Sequence, residues 1–159
     1  MVYRMSLFSL FSFLHKVFPA QSVFAHCDIP CGIYTPEPAL TAAKTVIRMI
    51  ERIQELKPPS FPMPDIAEAK GKFNSLVRYV QVKEEYAQKC KQELLILWTD
   101  YFKEEHVLMF PNLHETFWKA VKLCSKVKQE VNMEAAQELL KAVEEIRDMF
   151  SRAEAAKQK

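Results

Sequence analysis

Three side chains that commonly bind metals lie within six consecutive residues near the start of the chain, at His26, Cys27 and Cys31. Imidazole nitrogen and thiolate sulfur are good ligands for transition metals. Pro30 and Gly32 flank Cys31, and this combination disfavours a regular helix and favours a tight turn. The segment therefore predicts a loop in which two thiols point toward one position.

Two conventional chemistries are open to this loop. A structural zinc site needs four protein ligands, so His106 and His114 would have to supply a second pair. Their separation of eight residues is not the usual spacing, and we expect both side chains in a loop or on a helix surface. A disulfide bond between Cys27 and Cys31 is the second option.

A third chemistry follows if the chain is cut after Ala25. His26 would then carry a free α-amine beside the Cys27 backbone amide and the two thiolates. Adjacent amine, amide and thiolate donors form a planar set of four, which suits Ni(II) or Cu(II) better than zinc. The imidazole of His26 would be available as a fifth ligand, and this arrangement indicates a redox metal.

The first 25 residues differ in composition from the rest of the chain. They contain Arg4 and Lys16 but no acidic residue, and an apolar stretch runs from Met5 to Leu14. This pattern is typical of a removable leader, either a secretory signal or a pro-segment. The apolar stretch is well short of the ~20 residues that span a bilayer, so no membrane span is expected. The alternative is an amphipathic first helix that is retained.

The composition of the whole chain excludes several classes of protein. The 159 residues suit one domain and include only two glycines, Gly32 and Gly71, so glycine-rich nucleotide-binding turns are absent. The formal net charge is +2, and no basic stripe stands out along the sequence. Nucleic acid is therefore not an expected partner.

The remainder of the chain predicts four amphipathic helices, because apolar residues recur every three or four positions. The first runs from about residue 37 to 56 and ends at a proline cluster. Asp65, Asn112 and Asn132 are expected to cap the next three. The predicted fold is all-α, an antiparallel up-and-down four-helix bundle over residues 35–159, preceded by a leader (1–25) and a metal-binding hook (26–34).

The helical pattern also predicts which side chains form the core. Cys90 and Cys124 fall on apolar faces and are expected to be small buried residues. Eight side chains are expected along the buried side of the second helix: Phe73, Leu76, Val77, Val80, Ala87, Leu94, Trp98 and Phe102.

The ordered motif His26-Cys27-Asp28-x-Pro30-Cys31-Gly32-x-Tyr34 resembles the N-terminal hook of nickel-containing superoxide dismutases. The segment 97–103, Leu-Trp-Thr-Asp-Tyr-Phe-Lys, is similar to the second characteristic segment of that family. His106 and the motif Pro111-x-Leu113-His114 follow it in the same order. The similarity extends over the chain from His26 onward.

The resemblance implies a superoxide dismutase with one nickel ion per chain that alternates between Ni(III) and Ni(II). The ligands would be the amine and imidazole of His26, the amide and thiolate of Cys27, and the thiolate of Cys31. Tyr34 would order water at the mouth of the hook, and Asp28 would brace the loop. Trp98 and Tyr101 would form an aromatic wall behind the metal, or pack in the core.

The resemblance also implies a homohexamer and a dedicated peptidase that removes the leader. It favours a cytoplasmic location, with export as the alternative if the leader is a signal peptide. The sequence departs from the family where an acid and an arginine orient the axial imidazole, because Ala42 and Tyr86 occupy those positions. We therefore predict that a different group orients the His26 ring.

Two functions of other classes compete with the dismutase. One is a secreted helical binding protein with a Cys27–Cys31 disulfide and no metal. The other is a thiol oxidoreductase, although three residues between the cysteines is not the usual redox spacing.

Overall fold

The computed structural model describes residues 32–58 and 65–157. Within these ranges all regular structure is helical, in five α-helices: α1 Glu37–Glu55, α2 Ile66–Ile96, α3 Glu104–Met109, α4 Leu113–Gln129 and α5 Met133–Lys157. A π-helical turn, Leu97–Tyr101, continues α2. The predicted leader and the predicted site residues His26, Cys27, Asp28 and Cys31 lie outside the described residues. Across those ranges, each helix is too short or too polar to cross a bilayer.

The four long helices form the predicted bundle. α1 packs against α2 and α5, and α4 packs against the same two helices, which closes a ring of four. Successive long helices run in opposite directions, so the all-α, up-and-down prediction is confirmed. The short helix α3 lies where a loop was expected, between the π-helical turn and α4.

Two of the three predicted helix caps form. The side chains of Asp65 and Asn132 accept hydrogen bonds of 2.7 and 3.0 Å from backbone amides in the first turns of α2 and α5. The prediction for Asn112 is wrong, because its side chain makes no capping bond. The Asn112 amide instead donates to Thr116 Oγ1 and to Glu145 Oε1, at 3.2 and 3.0 Å, and so links α4 to α5.

The buried cysteines confirm the prediction that they serve as core residues. Cys90 and Cys124 are fully buried where α2 faces α4, and the Cys90 thiol donates to the Ala39 carbonyl in α1 at 3.5 Å. Interaction with Cys124 and burial both raise the pKa of the Cys90 thiol. Because thiolate is the form that binds metals, this thiol is poorly suited to be a ligand.

The first part of α2 is exposed, contrary to the prediction from its apolar pattern. Phe73 and Val77 are 59% and 64% exposed, whereas Ala87 and Leu94 further along are buried as expected. The reason lies in the lengths of the helices. Lys83 already contacts the last turn of α4, so the residues that precede it extend past the end of α4.

Candidate metal centre

The topology of the bundle brings three chain segments to one end. In an up-and-down bundle the start of α1, the end of α2 and the end of α5 lie together. The chain reaches this end through Gly32, directly after the predicted ligand Cys31. Gly32 has a φ of +78°, a left-handed conformation that glycine adopts readily and other residues rarely do. Gly32 thus has a turn conformation, whereas the rest of the predicted loop, residues 26–31, lies outside the described residues.

A cavity of about 320 Å³ opens where these segments meet. The N-terminal segment, the region around the π-helical turn and the last turns of α5 all contribute to its wall. The lining residues are Gly32, Tyr34, Asp100, Tyr101, Lys103, Glu154 and Lys157.

The π-helical turn places Asp100 and Tyr101 at the cavity. The amide of Phe102 donates to the Leu97 carbonyl at 3.0 Å, which is the wider hydrogen bond of a π-helix. Thr99 stabilises the turn, since its hydroxyl oxygen lies 2.8 Å from the Leu95 carbonyl and 2.7 Å from Asp100 Oδ1. Turns of this kind occur frequently at functional sites.

Two tyrosines meet beside the cavity. The half-buried Tyr34 approaches Tyr101 edge-on, with 6.0 Å between ring centroids. The Tyr101 ring is buried and also contacts Phe150 of α5 at 4.3 Å and Phe102 at 4.9 Å. The rigid packing of Tyr101 fixes the surface against which Tyr34 rests.

The hydroxyl of Tyr101 donates a 2.5 Å hydrogen bond to Oε1 of Glu154 on α5. The ammonium group of Lys157 lies 2.7 Å from the same oxygen and 4.5 Å from the centroid of the Tyr101 ring. Burial and the bond to Glu154 raise the pKa of Tyr101, while bonds from Lys157 and Tyr101 lower the pKa of Glu154. The three groups therefore form a neutral phenol, a carboxylate and an ammonium in direct contact.

His106 is not the surface residue that we expected, because it is only 3% exposed. Its ring stacks on Tyr101 at 5.7 Å, and Nδ1 accepts a hydrogen bond of 2.9 Å from the Lys103 amide. This bond assigns the proton of the neutral ring to Nε2. Burial lowers the pKa of His106, which also favours the neutral form. His106 thus holds the chain just after the π-helical turn.

The histidine pair considered for zinc does not form a site. His114 is exposed and accepts a 2.9 Å hydrogen bond from the indole of Trp98. Among residues 32–58 and 65–157, no three His, Cys, Asp or Glu side chains are grouped to hold a metal ion. Trp98 stacks on Phe117 and does not line the cavity, so Tyr101 alone of the two predicted wall aromatics lies there.

The positions that depart from the family pattern lie on facing helices. The hydrogen bond from Cys90 to the Ala39 carbonyl shows which turns of α2 and α1 face each other. Because the two helices are antiparallel, Tyr86 lies near Ala42, about one helical turn further from the start of α1. Ala42 is 1% exposed, and Tyr86 packs partly buried against the core. Neither side chain carries the charge of the acid or the arginine that the family pattern places there.

Four charged residues of the cavity were not singled out from the sequence. Asp100 and Lys103 belong to a segment that was recognised, but no role was assigned to them. Glu154 and Lys157 carry no local motif. Their position follows from the topology. An up-and-down bundle of four helices places the C-terminus of the last helix beside the N-terminus of the first, where the hook joins the bundle.

The donor chemistry of the chain fits a metal site in the hook. Of its four cysteines, Cys90 and Cys124 are buried between helices, and the remaining two, Cys27 and Cys31, precede the cavity-lining residue Gly32 in the sequence. Thiolates, an imidazole and nitrogen donors are soft and borderline ligands that suit nickel.

Comparison with known proteins defines the family. Residues 21–154 match the sequence model of the nickel-containing superoxide dismutase family. The chain is 31% identical over 132 residues to the superoxide dismutase [Ni] of Streptomyces seoulensis, and 30% identical over 132 residues to that of Streptomyces coelicolor. Each alignment covers 83% of this chain and 90% of the relative.

Solved structures agree with the sequence matches. One is a nickel-containing superoxide dismutase with its nickel ligation in the oxidised state, which aligns with a TM-score of 0.67 at 29% identity and covers 82% of this chain and 99% of that chain. Another is a native nickel superoxide dismutase, with a TM-score of 0.68 at 27% identity, covering 81% and 99%.

The fold and the matches together define the class of protein as an all-helical metalloenzyme. The chain belongs to the nickel-containing superoxide dismutase family. It is an oxidoreductase that acts on superoxide, and its cofactor is nickel.

Proposed function

We propose that the chain disproportionates superoxide to O₂ and hydrogen peroxide at one nickel ion held by the hook. His26 contributes its α-amine and imidazole, Cys27 its amide and thiolate, and Cys31 its thiolate. When bound, the nickel supplies one-electron redox chemistry by alternating between Ni(III) and Ni(II). Cleavage after Ala25 creates the amine that this ligand set requires.

The observation that carries this proposal is the position of the cavity. Gly32 and Tyr34 both line it, and Gly32 is the residue directly after Cys31. The left-handed turn at Gly32 lets the chain change direction between the ligand and Tyr34. A metal held by residues 26–31 is therefore attached next to a space large enough for a diatomic anion and ordered water.

Two residues support the metal without binding it. Tyr34 orders water at the mouth and restricts access to small anions, with its ring held against Tyr101. Asp28 braces the hook through hydrogen bonds to the backbone.

The proposed biology follows the family. Four-helix protomers assemble as a homohexamer, and a neighbour covers the short hook. A dedicated peptidase removes residues 1–25, and the mature enzyme works in the cytoplasm. The apolar leader makes export the alternative location.

The direct test measures the intact mass, nickel content and superoxide removal of the native purified protein. We expect a mass that corresponds to a chain beginning at His26, one nickel per chain, and activity. Active, fully metallated protein that still begins at Met1 would contradict the proposal, as would a nickel-free protein with a Cys27–Cys31 disulfide.

The ligand assignment is tested by Cys27→Ser and Cys31→Ser, with Cys124→Ala as the matched control. Each hook variant should lose nickel and activity while its circular dichroism remains helical. Cys124→Ala should keep its nickel, because this buried cysteine lies outside the hook. Activity in both serine variants would eliminate the hook mechanism.

A further inference from the structure

We propose that Glu154 is a positioning residue that keeps the Tyr101 hydroxyl protonated and turned toward α5, so that no phenolate forms beside the Tyr34 entrance. This inference rests on the proposed function of the hook. It concerns a residue on the last helix that no motif singled out.

Glu154 forms hydrogen bonds with Tyr101 and Lys157 through the same oxygen atom. One carboxylate oxygen, Oε1, accepts from the Tyr101 hydroxyl at 2.5 Å and from Lys157 at 2.7 Å. The Tyr101 side chain is buried, which disfavours a phenolate, and a carboxylate at this distance opposes a second negative charge.

The groups that face Tyr101 come from every element around it. The titratable and charged ones are Tyr34 from the N-terminal segment, His106 from α3, and Glu154 and Lys157 from α5. Lys157 favours a phenolate and His106 is neutral, so Glu154 is the one charged group around Tyr101 that adds to the effect of burial in opposing ionisation. Asp100 and Lys103 line the same cavity with opposite charges.

The consequence concerns an anionic substrate. A phenolate at Tyr101 would place negative charge against the ring of Tyr34, in the cavity that superoxide must enter, and would repel it. Glu154 also lines the cavity, but its negative charge is paired with the ammonium group of Lys157 at 2.7 Å. Tyr101 therefore adds no negative charge to the cavity at a pH where an ordinary tyrosine begins to ionise.

The test is Glu154→Gln, which keeps the size of the side chain and removes the charge. In this variant the phenolate absorbance of Tyr101 and the alkaline fall in superoxide removal should both move to lower pH, by about one unit or more. Nickel content and helical circular dichroism should match the unmutated protein. The phenolate titration is also measured on nickel-free protein, which separates it from activity.

Two further variants complete the experiment. Glu134→Gln removes an exposed carboxylate from the first turn of the same helix and should shift neither curve. In a Tyr101→Phe background, Glu154→Gln should cause no further shift. Unchanged curves in Glu154→Gln, or a shift that persists without the Tyr101 hydroxyl, would overturn the proposal. Failure of the proposed function would appear differently, as absent nickel or absent activity in the unmutated protein.

Discussion

The ammonium group of Lys83 in α2 lies 2.7 Å from the carbonyl oxygen of Val127, in the last turn of α4. The same group donates to the carbonyls of Lys128 and Glu130 at 2.8 and 3.2 Å, so its three hydrogens each have an acceptor. Carbonyls at the end of a helix lack partners within that helix. Lys83 is 2% exposed and supplies those partners from a neighbouring helix.

We expect Lys83→Met to lower the free energy of unfolding by about 1–3 kcal/mol, because one buried carbonyl and two partly buried ones would lose their donor. Urea unfolding followed by circular dichroism measures the change. Lys70→Met, at an exposed position of the same helix, is the control and should change stability by less than about 0.5 kcal/mol. Equal stability of the two variants would show that the bonds of Lys83 contribute nothing.

Replacement of Ala42 by glutamate should destabilise the bundle instead of restoring the family pattern. The position is buried in α1, and an unpaired buried carboxylate costs about 3–5 kcal/mol. Thermal unfolding measures the loss, with Thr41→Glu at the adjacent exposed position as the control. Adding Tyr86→Arg to Ala42→Glu should recover part of the stability, because Tyr86 lies opposite. No recovery in the double variant would contradict this register.

Stability should decline in alkaline solution because of Tyr101. Burial and Glu154 raise its pKa, so the folded chain keeps a proton that the unfolded chain releases from about pH 10. The stabilisation from Tyr101 is thus complete below about pH 10 and is lost as the pH rises toward the raised value. Urea midpoints between about pH 9 and about pH 11.5 should fall more steeply for the unmutated protein than for Tyr101→Phe. Parallel curves would refute this assignment.

Removal of nickel should abolish superoxide removal and leave the bundle folded. The hydrophobic core of the described chain lies between Ala39 and Ala153, and the proposed ligands precede it. After treatment with a chelator, we expect unchanged helical circular dichroism and a thermal midpoint lowered by only a few degrees. Loss of helical structure together with the metal would mean that the hook is part of the folding unit.

Much of the fold could be predicted from apolar periodicity, because each long helix buries one face. Apolar periodicity does not predict burial where the exposure of a side chain depends on the length of a neighbouring helix. Phe73 and Val77 fit the same apolar pattern as Leu94, but α4 ends before it could cover them. Asn112 illustrates a second limit. It was expected to accept a capping bond from the first turn of α4, but its side-chain NH2 instead donates to Thr116 and to Glu145 on α5, which a local motif does not show.

Some residues of the candidate site could also be predicted from local sequence, and others could not. Tyr34 could be identified from a local motif because its neighbours in sequence are the proposed ligands. His106 was expected at the surface, since no local signal shows that the ring stacks on Tyr101. Glu154 lies 53 positions along the chain from Tyr101, and only the folded bundle brings the two together.

The up-and-down path of the chain has a practical consequence for anyone who prepares this enzyme. The last turn of α5 borders the cavity through Glu154 and Lys157, so an affinity tag joined there would emerge beside the cavity. A tag at the amino terminus would be discarded if the leader is cleaved. The connection between α4 and α5 lies at the opposite end of the bundle, and a tag sequence inserted there must keep the Glu130 carbonyl that accepts from Lys83 and the Asn132 cap of α5.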